Sequence, residues 1–460
     1  MEKYDAIVIG SGQAGTPLSK KLAESGLKTA LIEKRWVGGT CVNDGCSPTK
    51  TMVASAKLAW SVANAEKLGV HVGGYTVDFH EIIDRKNDVV HRMRDGSEKG
   101  IKETENLDLV YGTAVFTGPK EVTITLNDGG KQVLSADKFF INVGEKPSIP
   151  KIDGIDEIDY LTSTSIMELD EIPEHLAIIG SGYIALEFGQ MFRRFGSKVT
   201  ILEQSERILR HEDKDIAEEI VKIFSEEEIN IITDCKVELI KKEGDTINLF
   251  LSIDEKEDNI SCTHVLVAAG RKPQTAELGL DVAGVVIDEN GYVKVNDKLE
   301  TSAEGIFALG DVKGGPAFTH IAYDDYRVIR KNNIENGNES IKDRLVPYCM
   351  FIDPQLGRVG ITEQEAKESG KGILVATMPN SSVARSIETG DTRGMMKAVI
   401  DKETGKILGA SVLAEQGGEI VTILQLAMMG GITYNQLKDG VFAHPTYAES
   451  LNNLFMTLDK

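Results

Sequence analysis

The sequence predicts an α/β protein, with two doubly wound parallel-sheet units followed by a C-terminal α+β region. Three observations carry that prediction. A short apolar run enters a glycine-rich turn and then a helix close to the start of the chain. Nearly the same arrangement recurs at a constant offset of 170 residues, and from about Val346 the pattern changes to strands mixed with helices.

The first unit opens at Asp5-Ala6-Ile7-Val8-Ile9, an apolar run that reads as a buried parallel strand. It leads into Gly10-Ser11-Gly12-Gln13-Ala14-Gly15, a helical stretch to Ser25, a break at Gly26 and a second strand from Lys28 to Ile32 that ends in Glu33. The glycines permit a tight turn and the close approach of a pyrophosphate, which a helix N-terminus can hold. Glu33 stands where a ribose hydroxyl needs an acceptor.

Next comes Gly38-Gly39-Thr40-Cys41-Val42-Asn43-Asp44-Gly45-Cys46-Ser47-Pro48-Thr49-Lys50, with two cysteines in a glycine-rich loop. Thr49 to Trp60 has helical apolar spacing, with Pro48 suited to its first turn. Cys46 is therefore expected at a helix N-terminus, where unpaired amides favour a thiolate. A redox couple, a metal pair and a buried structural pair all remain open. Redox chemistry is favoured, because a zinc site needs a second ligand pair that is not found nearby.

The second unit runs from Leu176 to Ile179 into Gly180-Ser181-Gly182-Tyr183-Ile184-Ala185, a helix, Gly196, and Val199 to Leu202 ending in Glu203. Gly10, Gly12, Gly26 and Glu33 thus recur as Gly180, Gly182, Gly196 and Glu203. Two dinucleotide sites in one chain suggest a flavin and a nicotinamide. Val143 to Pro147 and Ala268 to Pro273 read as the crossings out of and back into the first unit, and Gly305 to Asp311 as a strand ending in a glycine and an acid. The charged runs Glu226-Glu227-Glu228 and Lys241-Lys242-Glu243 read as solvated faces. At the far end, Thr446 is placed to cap a helix from Tyr447 to Leu458, with Glu449 at the capping-box position. His444, just before it, is a candidate acid/base.

Bulk properties set the bounds. The 460 residues have room for about three domains. A net charge of −21 argues against nucleic-acid and anionic-membrane partners. No apolar run is long enough to span a membrane. The chain enters its first strand directly after Met1-Glu2-Lys3-Tyr4, and five cysteines are too few for a disulfide framework. A cytoplasmic, reducing setting is expected.

These residues resemble the FAD-dependent pyridine nucleotide–disulfide oxidoreductases, the group containing dihydrolipoamide dehydrogenase, glutathione reductase and mercuric reductase. The markers are the first glycine motif, Gly38 to Lys50, the second glycine motif, Gly305 to Asp311, and the terminal His444-Pro445-Thr446 with Glu449. The resemblance implies two Rossmann-like dinucleotide-binding domains and a C-terminal α+β dimerisation domain. The FAD-binding domain would be split over 1–147 and 271–343, the NAD(P)-binding domain would occupy 148–270, and the dimerisation domain 344–460.

It also implies roles. Gly10, Gly12, Gly15 and Glu33 would hold the adenosine side of FAD. Gly39, Thr40 and Lys50 would lie near the flavin, and Asp311 would bind its ribityl chain. Backbone near Ala114, Gly144, Phe318, Thr319 and His320 would complete that pocket. Gly180, Gly182, Tyr183, Ile184, Glu187, Glu203 and Gly270 would form the nicotinamide side, Tyr183 covering the flavin and Glu187 pairing with Lys50. For His320 the expectation from the residues is a core or backbone role. Cys46 would be the charge-transfer thiolate and Cys41 the interchange thiol. His444 and Glu449 would reach the cysteines of a second subunit, giving a homodimer with a shared active site. Cys235, Cys262 and Cys349 are expected to be buried structural thiols, and no resident metal is expected.

Within the family, the chain looks most like a mercuric-reductase-like branch that includes flavoproteins protecting bacteria against reactive chlorine species. The C-terminal Met456-Thr457-Leu458-Asp459-Lys460 carries no vicinal cysteine pair, so the match to mercuric reductases is incomplete. The implied reaction is NAD(P)H-driven reduction of a metal ion such as Cu(II) or Hg(II), a small disulfide or an oxidant. The alternative is a dihydrolipoamide dehydrogenase docked in a 2-oxoacid dehydrogenase complex; metal sequestration by the cysteines without turnover is a third reading. Glu203 favours NADH. Ala185 in the last motif position points towards NADPH, and Arg207 and Arg210 could reach a phosphate. The direct charge contact of Glu203 weighs more, and NADH is expected.

Overall fold

A computed structural model describes residues 2–253 and 256–459; Met1 and Lys460, at the outer bounds of the expected domains, lie outside the described residues. The chain divides into two compact units. One comprises Met1–Thr51, Ile83–Ser148 and Gly270–Arg344, the other Met52–Ile82, Ile149–Ala269 and Leu345–Lys460. The first gathers the segments expected for the split domain, without 52–82. The second gathers 52–82 with the other two expected segments.

In the first unit the strand Glu2–Ile9 lies between two parallel neighbours, Thr29–Glu33 and Lys131–Ile141. Leu107–Gly118 and Ile306–Ala308 extend the sheet on either side, also parallel. Glu121–Leu126 pairs antiparallel with both Leu107–Gly118 and Lys131–Ile141. Successive side chains of a strand point to opposite faces, so each strand feeds two cores. Ile7 and Ile9 pack with Phe116 and Phe139, while Ala6 and Val8 pack with Leu18, Leu22 and Phe140. This double burial is why these strands read as continuous apolar runs. The two expected crossings lie side by side as a ribbon, with Glu145–Pro147 antiparallel to Arg271–Pro273.

The second unit holds a four-stranded parallel sheet in the order His264–Val267, His175–Ile179, Lys198–Leu202, Asn230–Ile232. A three-stranded antiparallel sheet, Cys235–Glu243, Thr246–Ile253 and Lys256–Cys262, is inserted in the chain between Asn230–Ile232 and His264–Val267. A five-stranded antiparallel sheet forms the C-terminal part, covered by the helices Gly417–Gly430 and Ser450–Met456 through Leu424, Leu451 and Phe455.

Several expectations need correction. Glu227 is not solvated: it is 3% exposed and accepts hydrogen bonds from Arg194, Arg393 and Gln190 at 2.7–2.9 Å. A carboxylate tolerates such burial only when paired, and two arginines pair it. Its neighbours Glu226 and Glu228 are exposed, as are Lys241, Lys242 and Glu243. Cys235 and Cys262 are buried, with burial pushing their thiols up to about 11 and about 12. Cys349 is only half-buried. His320 is exposed rather than in the core, its ring stacked on Phe318 at 5.4 Å.

Candidate active site

The two glycine motifs are alike in geometry as well as in sequence. Gly10 has φ +100° and Gly180 φ +105°, a left-handed region that glycine enters without strain. Each amide donates to the end of the neighbouring strand, Gly10 to Ile32 and Gly180 to Leu202, both at 2.8 Å. A Cβ on either would meet a backbone carbonyl, of Asn142 at 2.4 Å or of Ala268 at 2.5 Å. The helices Gly15–Glu24 and Tyr183–Phe195 follow.

The acids at the strand ends are held the same way. Glu33 accepts the Ser11 hydroxyl at 2.6 Å and the Arg35 amide at 2.8 Å; Glu203 accepts the Ser181 hydroxyl at 2.5 Å and the Ser205 amide at 2.8 Å. Both carboxylates are thus oriented before any ribose is bound. Arg207, by contrast, spends its guanidinium on the carbonyls of Glu212 and Arg210 at 3.0 Å each.

The cysteine segment docks onto the first glycine loop. Gly38 donates its amide to the Ser11 carbonyl at 3.2 Å, and Gln13 reaches the Gly38 carbonyl at 3.3 Å. Gly39 packs so closely that a Cβ there would lie 2.7 Å from the Gly12 Cα. The loop is more helical than its glycines suggest: Cys41 sits in the short helix Gly39–Asn43, and the next helix runs from Cys46 to Ala63, longer than expected at both ends. Pro48 is its third residue, within the first turn where a missing amide costs nothing.

Cys46 is exposed and lies 3.3 Å from the Thr319 hydroxyl; Cys41 is half-buried. A hydrogen bond with Cys46 is the largest cause pushing the Cys41 thiol far up, and burial adds to it. The Thr319 hydroxyl and the Lys50 ammonium pull it partly back. That hydrogen bond and burial both favour the protonated form of Cys41.

Asp311 begins the turn Asp311–Lys313 after the strand Ile306–Ala308. Burial, then Glu145, pushes its carboxyl up to about 6, against the pull of Arg271 and Lys313. Ala114 lies in the antiparallel half of its strand, in register with Ile124, with its side chain in the core. The Gly144 carbonyl accepts the Gln274 amide at 3.0 Å. In the second unit, Tyr183 opens its helix at 38% exposure, while Ile184 and Gly270 stand at the motif and the strand end. Glu187 is buried and accepts the Phe351 amide at 2.8 Å. His444 Nδ1 donates to Glu449 at 2.8 Å, on a side chain that is 68% exposed. The terminal helix is shorter than expected, Ser450–Met456. Thr446 does accept the Glu449 amide at 3.2 Å, but the Glu449 carboxylate turns to His444 instead of closing a capping box.

A family model described as pyridine nucleotide-disulphide oxidoreductase matches residues 4–325, and that family's dimerisation domain matches residues 346–455. The chain belongs to the pyridine nucleotide-disulphide oxidoreductases. It is 38% identical over 459 residues to the probable pyridine nucleotide-disulfide oxidoreductase RclA of Escherichia coli strain K12, covering 99% of both chains. It is 36% identical over 457 residues to a mercuric reductase of Staphylococcus aureus, covering 99% of this chain and 83% of that one. A solved structure described as the Cu(II) complex of the HOCl-induced flavoprotein disulfide reductase RclA matches with a TM-score of 0.91 at 38% identity, over 99% of each chain. The chain is thus a flavoprotein disulfide oxidoreductase, and the dimerisation domain suggests a homodimer. Among the described residues, no helix is long and apolar enough to cross a membrane.

The family implies FAD and a nicotinamide coenzyme, and the residues fit both. The turns at Gly10 and Gly180 leave no room for a Cβ, two oriented carboxylates stand at the strand ends, and burial pushes the Asp311 carboxyl up.

Residues to which the resemblance assigns no role also build the site. Asn43 donates to the Val37 and Gly39 carbonyls at 3.0 and 2.9 Å and accepts from Arg94 Nε at 2.7 Å; Arg94 in turn stacks 4.2 Å over Trp36. This ties the segment between the cysteines from within. Buried Asp325 accepts the Gly310 amide at 2.9 Å and Arg344 at 2.6 Å, fixing the turn that carries Asp311. Asn142, also buried, donates to the Gly10 carbonyl at 3.2 Å. Of these, Asn43 stood within the Gly38 to Lys50 run.

Proposed function

We propose that the chain passes electrons from NADH through FAD to a Cys41–Cys46 disulfide, and from the reduced pair to a thiophilic acceptor, a metal ion such as Cu(II) or Hg(II) or a small oxidant. The observation that carries this reading is the unlike pair of thiols. Cys46 starts a long helix, where a thiolate is favoured, and its contact with Cys41 keeps the Cys41 proton in place. Paired thiols also suit soft metal ions. Kinship with a protein solved as a Cu(II) complex and with mercuric reductases supports that choice of acceptor.

Bound FAD would accept a hydride from the nicotinamide and deliver the electron pair to the disulfide. The S–S bond breaks, Cys46 is left as thiolate and Cys41 takes the proton. Two electrons then leave to one Hg(II) or two Cu(II), the S–S bond re-forms and the Cys41 proton departs. His444, oriented by Glu449, would receive that proton at Nε2 in a second copy of the chain. Glu203 supports NADH, because its carboxylate would accept ribose hydroxyls and repel a 2′-phosphate.

Anaerobic NADH oxidation by the purified protein, offered Cu(II), Hg(II), glutathione disulfide, lipoamide and a chlorine oxidant in turn, tests the acceptor. Turnover with lipoamide alone would replace this reading with dihydrolipoamide dehydrogenase. A higher kcat/KM with NADPH than with NADH would overturn the coenzyme assignment.

A further inference from the structure

The two motifs differ at one of their three glycine positions, Gly15 against Ala185, and the residues facing them differ in step. Asn142 and Ala268 are equivalent: their amides donate to Ile9 and Ile179, themselves 170 residues apart, at 2.8 and 2.9 Å, and their carbonyls face Gly10 and Gly180. In the first copy the Asn142 carboxamide reaches into the loop. Its Nδ2 donates to the Gly10 carbonyl and would lie 2.8 Å from a Cβ on Gly15 and 3.1 Å from one on Gly12. Its Oδ1 would lie 2.9 Å from a Cβ on Gly310. The Gly10 carbonyl itself stands 2.0 Å from where a Gly15 Cβ would be. In the second copy Ala268 has no carboxamide to draw the Gly180 carbonyl inward, and Ala185 fits there fully buried.

We propose that the third position of each motif is set by the residue opposite it, glycine where Asn142 stands and alanine where Ala268 stands. Asn142 is then a positioning residue for the first dinucleotide loop, and Ala185 has no part in choosing between NADH and NADPH. The carboxamide uses the space that three glycines leave open, locking the Gly10 carbonyl so that the loop amides stay turned towards a pyrophosphate. The inference rests on the family's use of a flavin and a nicotinamide, and not on which nicotinamide is preferred.

A double-mutant cycle on the holoenzyme tests it, read by FAD dissociation and by flavin fluorescence during melting. Asn142→Ala should weaken FAD about five-fold. Gly15→Ala should be far more damaging alone than in the Asn142→Ala background, with a coupling of more than about three-fold. Should Gly15→Ala not fold, the mirror pair serves. Ala268→Asn should weaken NADH binding, read by equilibrium titration, and Ala268→Asn with Ala185→Gly should recover it. Effects of each pair that multiply to within about three-fold would overturn the proposal. So would a shift of more than about three-fold in the NADPH to NADH ratio of kcat/KM on Ala185→Gly alone, whichever coenzyme the wild type prefers.

Discussion

Asp311→Asn should stabilise the flavin-free protein at neutral and alkaline pH while weakening its hold on FAD. The Asp311 carboxyl is pushed from 3.8 up to about 6, by burial first and then by Glu145. A folded-state pKa above the unfolded one means that the fold disfavours the charge. The contribution to stability is intact below about pH 4, shrinks as pH rises, and is lost once pH passes 6. At roughly 1.36 kcal/mol per pH unit the ceiling is about 3 kcal/mol. The shift is already net of the pull of Arg271 and Lys313, but an amide still buries polar atoms at the same place, which trims the gain to about 1–2 kcal/mol, or roughly 1–2 °C in Tm for a chain of this length. Thermal melts of flavin-stripped wild type and Asp311→Asn, run from pH 4 to 8, should show a gap that opens between pH 4 and 6 and then holds. A gap that is absent, independent of pH or reversed in sign at pH 8 would refute the reasoning. FAD should bind Asp311→Asn about 10- to 100-fold more weakly, since a hydrogen bond to a charged acceptor becomes one to a neutral amide.

Cys41→Ser should lower acceptor turnover by at least about a thousand-fold, while NADH still bleaches the flavin absorbance in a stopped-flow mixing experiment. For His444→Gln, which keeps a polar group but cannot carry a proton, kcat should fall about 10²- to 10⁴-fold with little change in flavin reduction. Glu227→Ala removes one carboxylate from a buried cluster in which Arg194 keeps Asp353 and Arg393 keeps Asp391, so unfolding in urea should show a loss of about 2–3 kcal/mol.

What the sequence made legible was whatever repeats or alternates. The paired glycine motifs, Glu33 and Glu203 could be placed because a strand, a turn and a helix impose fixed spacing. Ser11 and Ser181 share the same offset and hold those acids, so that signal was present though unread. Asn142, Arg94 and Glu227 left no such trace. Each acts on a residue distant in the chain: Asn142 on Gly10, Arg94 on Asn43, Glu227 on Arg194 and Arg393. Glu227 was actively misleading, since a run of three glutamates looks the same whether or not its middle member is buried. The Cys46–Ala63 helix was underestimated for a local reason: Gly45 and Pro48 look like loop residues, yet both sit at a helix start, where neither is costly.

The difference between the two thiols comes from backbone placement rather than from the cysteines themselves. Cys46 is the first residue of an 18-residue helix, at the end where the helix dipole places partial positive charge. Cys41 lies mid-way in a five-residue helix, half-buried, with the Cys46 sulfur as its main perturbing neighbour. Opening a disulfide leaves one sulfur anionic and one protonated, and these surroundings decide which is which before substrate arrives. The same asymmetry creates a demand: a thiol held protonated cannot attack or ligate an electrophile until a base removes its proton. Under the proposed mechanism that demand falls on His444. Glu449 fixes its Nδ1 as donor, leaving Nε2 as the nitrogen able to accept. Under that mechanism a dimer would be a chemical requirement of turnover, because the base and the thiol it serves would belong to different copies of the chain.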